Sequence, residues 1–246
     1  MDLLFISLGC DKNLVDSEVM LGLVDEKGYR IVDSEEEADV IVVNTCCFIH
    51  DAKEESIRTI LEMAQFKEQG RLRALIVTGC LAQRYQREIL EEIPEVDAVL
   101  GTASYQKIAD AIEEALSGKT FVALDGIDSL PAVDTKRMVT TGGHFAYLKI
   151  AEGCDKHCTY CIIPKLRGEY RSVPMERLLE EAKDLAEQGV KELILVAQET
   201  TVYGRDLYGE KSLHLLLREL CKIDGLRWIR ILYCYPEEIY GELIKV

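Results

Sequence analysis

Short apolar runs alternate with stretches of helical periodicity along most of this chain, and that alternation constrains the fold more than any other feature. Apolar runs at residues 3–8, 39–44, 74–78 and 98–100 have strand length rather than helix length. Between them, residues 13–27, 52–69, 83–93 and 105–117 place apolar side chains at helical spacing. Strand–helix–strand alternation returns each strand parallel to the last, so it predicts an α/β fold with an open parallel sheet. Gly28, Gly70 and Gly118 each follow a predicted helix, where a left-handed cap is expected. Asp51 with Glu54 three residues later reads as a capping box opening the second helix.

The rhythm breaks between residues 119 and 143. Asp125-Gly126, Pro131 and Gly142-Gly143 punctuate this stretch, which predicts a linker with a short strand at 120–124. Strands at 145–151, 192–197 and 228–233 then alternate with helices at 174–188 and 213–223. The 246 residues are enough for two domains, expected at 1–118 and 144–246 with the linker between.

The net charge of −15 is unevenly spread. Through Gly118 there are 24 acidic and 11 basic residues, and from Lys119 onward 20 acidic and 18 basic. A front half this acidic repels phosphate backbones and suits a basic partner; general acidity of soluble proteins explains it equally well. No stretch approaches the roughly 18 apolar residues of a membrane span. The first eight residues lack a basic cluster and are too short for a secretion leader, so a cytoplasmic location is expected.

Nine cysteines are many for such a chain, and in a reducing compartment they point to metal or catalysis before disulfides. Cys221 lies in a helical pattern and Cys234 in an apolar run, so both are expected in the core. Cys10, Cys46 and Cys80 each follow a predicted strand. Ligand sites in open parallel sheets form beyond the carboxyl ends of strands, so these three can converge on one crevice. Three thiolates suit a soft metal or an iron–sulfur cluster; three strand-end cysteines buried by chance is the alternative. Cys46 and Cys47 are neighbours on extended chain and point opposite ways, so they do not serve one cluster together. The second group, Cys154, Cys158 and Cys161, has CxxxCxxC spacing in one loop after a strand. Conventional clusters use four cysteines, and here no fourth is near, which leaves one iron open to chelation by a substrate or cofactor. The alternative is a zinc loop with His157 as fourth ligand, a strained choice because His157 directly precedes Cys158.

CxxxCxxC after the first strand of a βα barrel resembles the radical S-adenosylmethionine superfamily. Within it the chain resembles the methylthiotransferases across essentially its whole length. The carrying segments are Gly9-Cys10-Asp11-Lys12-Asn13, Asn44-Thr45-Cys46-Cys47-Phe48-Ile49 and Thr78-Gly79-Cys80-Leu81-Ala82-Gln83. Leu195-Val196-Ala197-Gln198-Glu199-Thr200-Thr201 and Trp228-Ile229-Arg230 also fit. The branch that modifies a ribosomal small-subunit protein fits best, because the branch acting on transfer RNA often reads GCQMN where this chain has GCDKN. Cys47 departs from the family, which usually has Gly there. The chain stops at Val246 with three barrel strands counted from Phe145, so the resemblance implies truncation before the remaining barrel and the small C-terminal β-domain.

The resemblance implies an N-terminal Rossmann- or flavodoxin-like domain followed by an incomplete radical-SAM, TIM-like barrel. It implies two 4Fe–4S clusters, an auxiliary one on Cys10, Cys46 and Cys80 and a second on Cys154, Cys158 and Cys161, the latter trio being catalytic. It implies S-adenosylmethionine as cofactor, with Tyr160 packing near the cluster or the adenosyl group and Gln198 and Glu199 near the methionine amino group. Lys165, Arg167 and Arg171 are further candidates for the cofactor carboxylate or the substrate, or form a solvated basic loop. The implied reaction adds a methylthio group to the β-carbon of an aspartate on a basic ribosomal small-subunit protein, with an electron donor as second partner. That carbon carries no acidic hydrogen, so a radical route is required and the cofactor supplies it. The competing readings are a transfer-RNA methylthiotransferase and a non-catalytic iron–sulfur-binding fragment.

Overall fold

The computed structural model describes residues 1–128, 130 and 137–246. The linker expectation falls partly on residues 129 and 131–136, Pro131 among them, which lie outside the described residues. The chain divides into two compact units, Met1–Met138 and Val139–Val246.

The first unit runs β1 (Asp2–Ser7), α1 (Asp11–Glu26), β2 (Arg30–Ile31), β3 (Val40–Thr45), α2 (His50–Ala64), α3 (Phe66–Gln69), β4 (Ala74–Gly79), α4 (Cys80–Glu92), β5 (Ala98–Leu100), α5 (Ile108–Leu116) and β6 (Phe121–Ala123). Its six strands form one sheet in the order β2-β1-β3-β4-β5-β6, and every pairing is parallel. Every residue of β3 and β4 is buried. That is why they read as unbroken apolar runs: helices cover both faces of a parallel sheet. One face packs Val40, Val42, Ile76 and Leu100 against Val19, Met20, Val24, Ile108 and Ile112 of α1 and α5.

Several local expectations change. Helix α2 starts at His50 with Ile49 as its cap, and no side chain caps it, so Asp51 lies inside the first turn and the capping box does not form. Gly28 (φ +81°) and Gly118 (φ +80°) are left-handed as expected. Gly70 is extended (φ −118°, ψ −159°), because the short α3 has intervened after α2.

The second unit runs β7 (Phe145–Lys149), β8 (Ala151–Glu152), α6 (Ile163–Arg167), β9 (Arg171–Ser172), α7 (Met175–Glu187), β10 (Glu192–Val196), α8 (Arg205–Tyr208), α9 (Leu213–Leu220), β11 (Trp228–Ile231) and α10 (Gly241–Ile244). Strands β11, β10 and β7 form a parallel three-stranded sheet with β10 central. Leu193 and Leu195 of β10, Ala146 and Leu148 of β7, Leu178, Ala182 and Leu185 of α7, and Leu213 and Leu216 of α9 share one core. The single strand expected at 145–151 is two, and β8 turns away to pair antiparallel with β9. Cys221 is exposed at the cap of α9, and Cys234 lies beyond the end of β11, half-buried. Neither is a core residue: Cys221 falls just after the last buried turn, and the apolar run containing Cys234 leaves the strand at Ile231.

Charged side chains pin the amino-terminal corner of the first sheet. Arg30 Nε and Nη2 donate to the Asp2 carboxylate at 2.8 and 2.7 Å. The backbone N–H of Asp2 donates to Asp39 Oδ2 at 2.9 Å, and Arg71 Nη2 donates to Asp39 Oδ1 at 2.7 Å. The hydrogen-bonded Arg30 holds Asp2 below the ordinary carboxyl value, and the Asp2 amide, helped by Arg71, does the same for Asp39. Carboxyls lowered in the folded state stabilise it above their unfolded value and stop doing so as pH falls through the folded value. The urea midpoint of the chain is therefore expected to fall as pH drops from about 5 to about 3. Asp39→Asn should show a shallower fall; an unchanged slope in Asp39→Asn would remove Asp39 from the explanation.

Candidate iron–sulfur and S-adenosylmethionine sites

Cys10, Cys46 and Cys80 follow three adjacent strands, β1, β3 and β4. The register lines up Ser7 with Asn44, and Asn44 with Thr78. The three strand ends are therefore flush, and strands lie about 4.8 Å apart. The three cysteines leave the sheet side by side at one edge. Sequence order hides this, since β2 is inserted between β1 and β3 in the chain but pairs on the far side of β1. This is where the strand order reverses, the place where open α/β sheets bind ligands.

Local backbone shapes the crevice. Cys10 is the extended cap residue of α1, and Cys80 is the first residue of α4. Both thus sit at helix N-termini. The Cys46 N–H donates to Ser56 Oγ at 3.0 Å, and that hydroxyl donates back to the Cys46 carbonyl at 2.9 Å. Gly9 is left-handed (φ +91°), and a Cβ there would lie 2.6 Å from the Cβ of Cys46. Gly79 (φ +92°) lies against the Asn44 carboxamide and Thr45 backbone with no room for a side chain. Cys10 is exposed, whereas Cys46 and Cys80 are buried. Cys47 is buried as well, and its thiol donates to the Cys80 carbonyl at 3.2 Å. Burial pushes that thiol up to about 12.

In the second unit β8 delivers the chain into the loop carrying Cys154, Cys158 and Cys161. The Cys154 N–H donates to the Gly168 carbonyl at 3.1 Å, and a turn closes with the Cys161 N–H on the Cys158 carbonyl at 2.9 Å. Burial raises the Cys154 thiol. His157 is exposed in a left-handed conformation (φ +46°). Among the described residues no group of three or more His, Cys, Asp or Glu side chains closes on a single metal ion. In an iron–sulfur cluster the thiolates bind separate irons and stand further apart than the ligands of one ion.

Beside Cys154 is a cavity of about 250 Å³, lined also by Asp155, Lys156, Tyr170, Glu199 and Glu238. Glu199 follows β10, is 3% exposed, and accepts from the Thr201 N–H at 3.1 Å and the Tyr235 N–H at 3.3 Å. Lys156 lies 4.0 Å from Glu199, 4.3 Å from the Tyr235 ring centre, and donates to Glu238. Hydrogen bonds from Lys156 and Lys211 pull Glu238 down to about 2. Gln198 Nε2 donates to Glu152 at 2.9 Å, and its Oε1 is buried without a partner among the described residues. Burial alone would raise Glu152, but Arg167 at 2.8 Å and Lys149 at 3.0 Å hold it below the usual carboxylate range.

The structure thus places Gln198 and Glu199 together beyond β10, next to the cysteine loop. Tyr160 stands 84% exposed. Arg167 is buried against Glu152 and is not a solvated loop residue, and Arg171 donates to the backbone carbonyls of Glu169 and Arg167. Lys165 is exposed. Asn13, Ser56, Glu152 and Lys156 were not anticipated. Each has at least one partner 10 to 82 residues away in sequence, a link that no local spacing betrays.

The two units match two known domain families in order. Residues 2–101 match the uncharacterized protein family UPF0004, and residues 148–245 match the radical SAM superfamily. The second match implies a 4Fe–4S cluster and S-adenosylmethionine as cofactors. Among solved structures, the radical S-adenosylmethionine methyltransferase TsrM from Kitasatospora setae, with cobalamin and a 4Fe–4S cluster bound, superposes with a TM-score of 0.63 at 12% identity. That match covers 99% of this chain and 56% of TsrM, and at this identity it shows the fold alone. The ribosomal protein uS12 methylthiotransferase RimO of Lachnoclostridium phytofermentans is 68% identical over 246 residues, all of this chain and 56% of that protein. RimO of Clostridioides difficile is 56% identical over 240 residues, 98% of this chain and 54% of that protein. The chain belongs to the radical S-adenosylmethionine methylthiotransferase family, and it spans about half the length of the curated relatives it matches.

The Glu152 cluster is predicted to hold the second unit together. Removing one partner of a buried ion pair leaves the other uncompensated. Glu152→Ala should destabilise the chain by about 3–5 kcal/mol in urea unfolding, with Glu152→Gln costing less. Equal stability of Glu152→Ala and the parent chain would show that Arg167 and Lys149 find solvent instead.

Proposed function

We propose that the full-length protein adds a methylthio group to an aspartate β-carbon of a basic ribosomal small-subunit protein in the cytoplasm, using S-adenosylmethionine and an external electron donor. The observation that carries this reading is the placement of two three-cysteine sets, one on flush strand ends and one in a single loop. Each set supplies three thiolates and so leaves one coordination position for something other than protein. Residues 1–118 would hold the auxiliary cluster on Cys10, Cys46 and Cys80, residues 119–143 connect, and 144–246 hold the second cluster on Cys154, Cys158 and Cys161. When bound, that second cluster supplies the reductive cleavage of S-adenosylmethionine and the hydrogen abstraction that follows.

The chain's own residues suit the cofactor. The free Oε1 of Gln198 and the carboxylate of Glu199 are acceptors for an ammonium group, and both lie beyond β10. Lys156 in the adjoining cavity offers a cation to a carboxylate. Tyr160, on the same loop, is free to fold over an adenosyl group. The acidity of the front half supports a basic protein substrate over RNA.

Incubation of full-length protein, S-adenosylmethionine and a low-potential reductant with either a small-subunit ribosomal protein or transfer RNA tests the substrate. A mass gain of one methylthio group on an aspartyl peptide is expected; a modified nucleoside with no modified peptide would overturn the assignment. Cys158→Ala should abolish S-adenosylmethionine cleavage and retain about four irons per chain, those of the auxiliary cluster. About eight irons in that variant would show that the two cysteine sets are not separate ligand sets.

A further inference from the structure

The auxiliary crevice rests on one side chain that is not a ligand. Asn13, in the first turn of α1, has no solvent exposure. Its Nδ2 donates to the Leu8 carbonyl at 3.1 Å and to the Thr45 carbonyl at 2.9 Å. Its Oδ1 lies 3.9 Å from Cys80 Sγ, within reach of a thiol donor. Leu8 is two residues before Cys10, and Thr45 immediately precedes Cys46. One carboxamide therefore touches the approaches to two cysteines and the sulfur of the third. Backbone pairing reaches Leu8, through Asn44, and Thr45, through Gly79, and the Asn13 carboxamide adds a side-chain link from α1 to both of these strand ends and to Cys80.

We propose that Asn13 is a positioning residue for the auxiliary cluster, holding the three cysteine-bearing loops in the register that one cluster requires. The proposal rests on the reading of Cys10, Cys46 and Cys80 as the cluster's ligands. The contact with Cys80 Sγ holds the thiol in the iron-free protein. Neighbouring polar groups act differently. Asn44 donates to the Asn13 carbonyl and to Ser17 Oγ, and Ser17 Oγ donates to the Asn13 carbonyl and reaches Ser7; these contacts engage the Asn13 backbone and not its carboxamide. Residues that orient metal ligands from behind typically change metal affinity by about 10–100-fold when removed.

The test uses the full chain carrying Cys158→Ala, so that iron reports the auxiliary site alone. Asn13→Ala removes the carboxamide, and Asn13→Leu removes it while filling its volume. After anaerobic reconstitution with limiting iron and sulfide, both variants should hold iron about tenfold more weakly than the parent, with a changed or absent paramagnetic signal. Ser17→Ala should match the parent. Thermal unfolding should stay cooperative in at least one Asn13 variant. In iron-free protein, Cys80 should alkylate faster in both Asn13 variants while exposed Cys221 is unchanged. Parent-like iron affinity and signal in both Asn13 variants overturns the positioning role while leaving the ligand assignment standing. Equal loss in Ser17→Ala, or loss of cooperative unfolding in both Asn13 variants, also overturns it, by making Asn13 a general support of the fold. A parent that binds no iron overturns the ligand assignment and this proposal with it.

Discussion

The flush carboxyl edge of β1, β3 and β4 is the constraint on which the first unit's chemistry depends. Parallel pairing fixes Ser7, Asn44 and Thr78 in one row. The strands end at or just past that row, and two of the three connections beyond it pass through a glycine of positive φ. Left-handed Gly9 and Gly79 let the backbones approach, and Cys10 and Cys80 then open helices that aim their N–H groups back at the crevice. The burial of β3 and β4 on both faces makes the platform rigid. The sheet edge brings three cysteines that are far apart in sequence to the ends of adjacent strands.

The second unit solves the same problem by a different route. Its three cysteines share one loop, so sequence proximity replaces sheet register. The demand moves to the loop's surroundings. Glu152, two residues before Cys154, is buried among Arg167, Lys149 and Gln198, which ties the end of β8 to α6, β7 and the segment after β10. Cys154 is held in turn by the Gly168 carbonyl, and Asp155 accepts the Tyr170 N–H at 2.8 Å. The cavity beside them is lined by Glu199 and Lys156, so opposite charges lie next to the first cysteine of the motif.

How much of this was legible follows from the kind of signal each part leaves. Strands such as Val40–Thr45 announce themselves because burial on both faces demands a continuous apolar run. The two-residue strands Arg30–Ile31 and Arg171–Ser172 leave no such run and were not foreseen. CxxxCxxC is compact and readable. The trio Cys10, Cys46 and Cys80 becomes meaningful only once sheet order brings their strands together. Buried polar groups are the least legible. Asn13 and Glu152 belong to residue types usually found at the surface, and their burial depends on partners supplied by distant segments. The capping box at Asp51 failed because the helix begins at His50, two residues before the expected start, which puts Asp51 inside the first turn.

The central claim is that this chain presents two independent three-cysteine cluster sites, one of which is open to S-adenosylmethionine. It is tested most directly by iron and sulfide analysis with electron paramagnetic resonance after anaerobic reconstitution and reduction. The account predicts about eight irons and two distinguishable cluster signals, only one of which shifts when S-adenosylmethionine is added. A single cluster signal with about four irons, or two signals that both ignore S-adenosylmethionine, would contradict it.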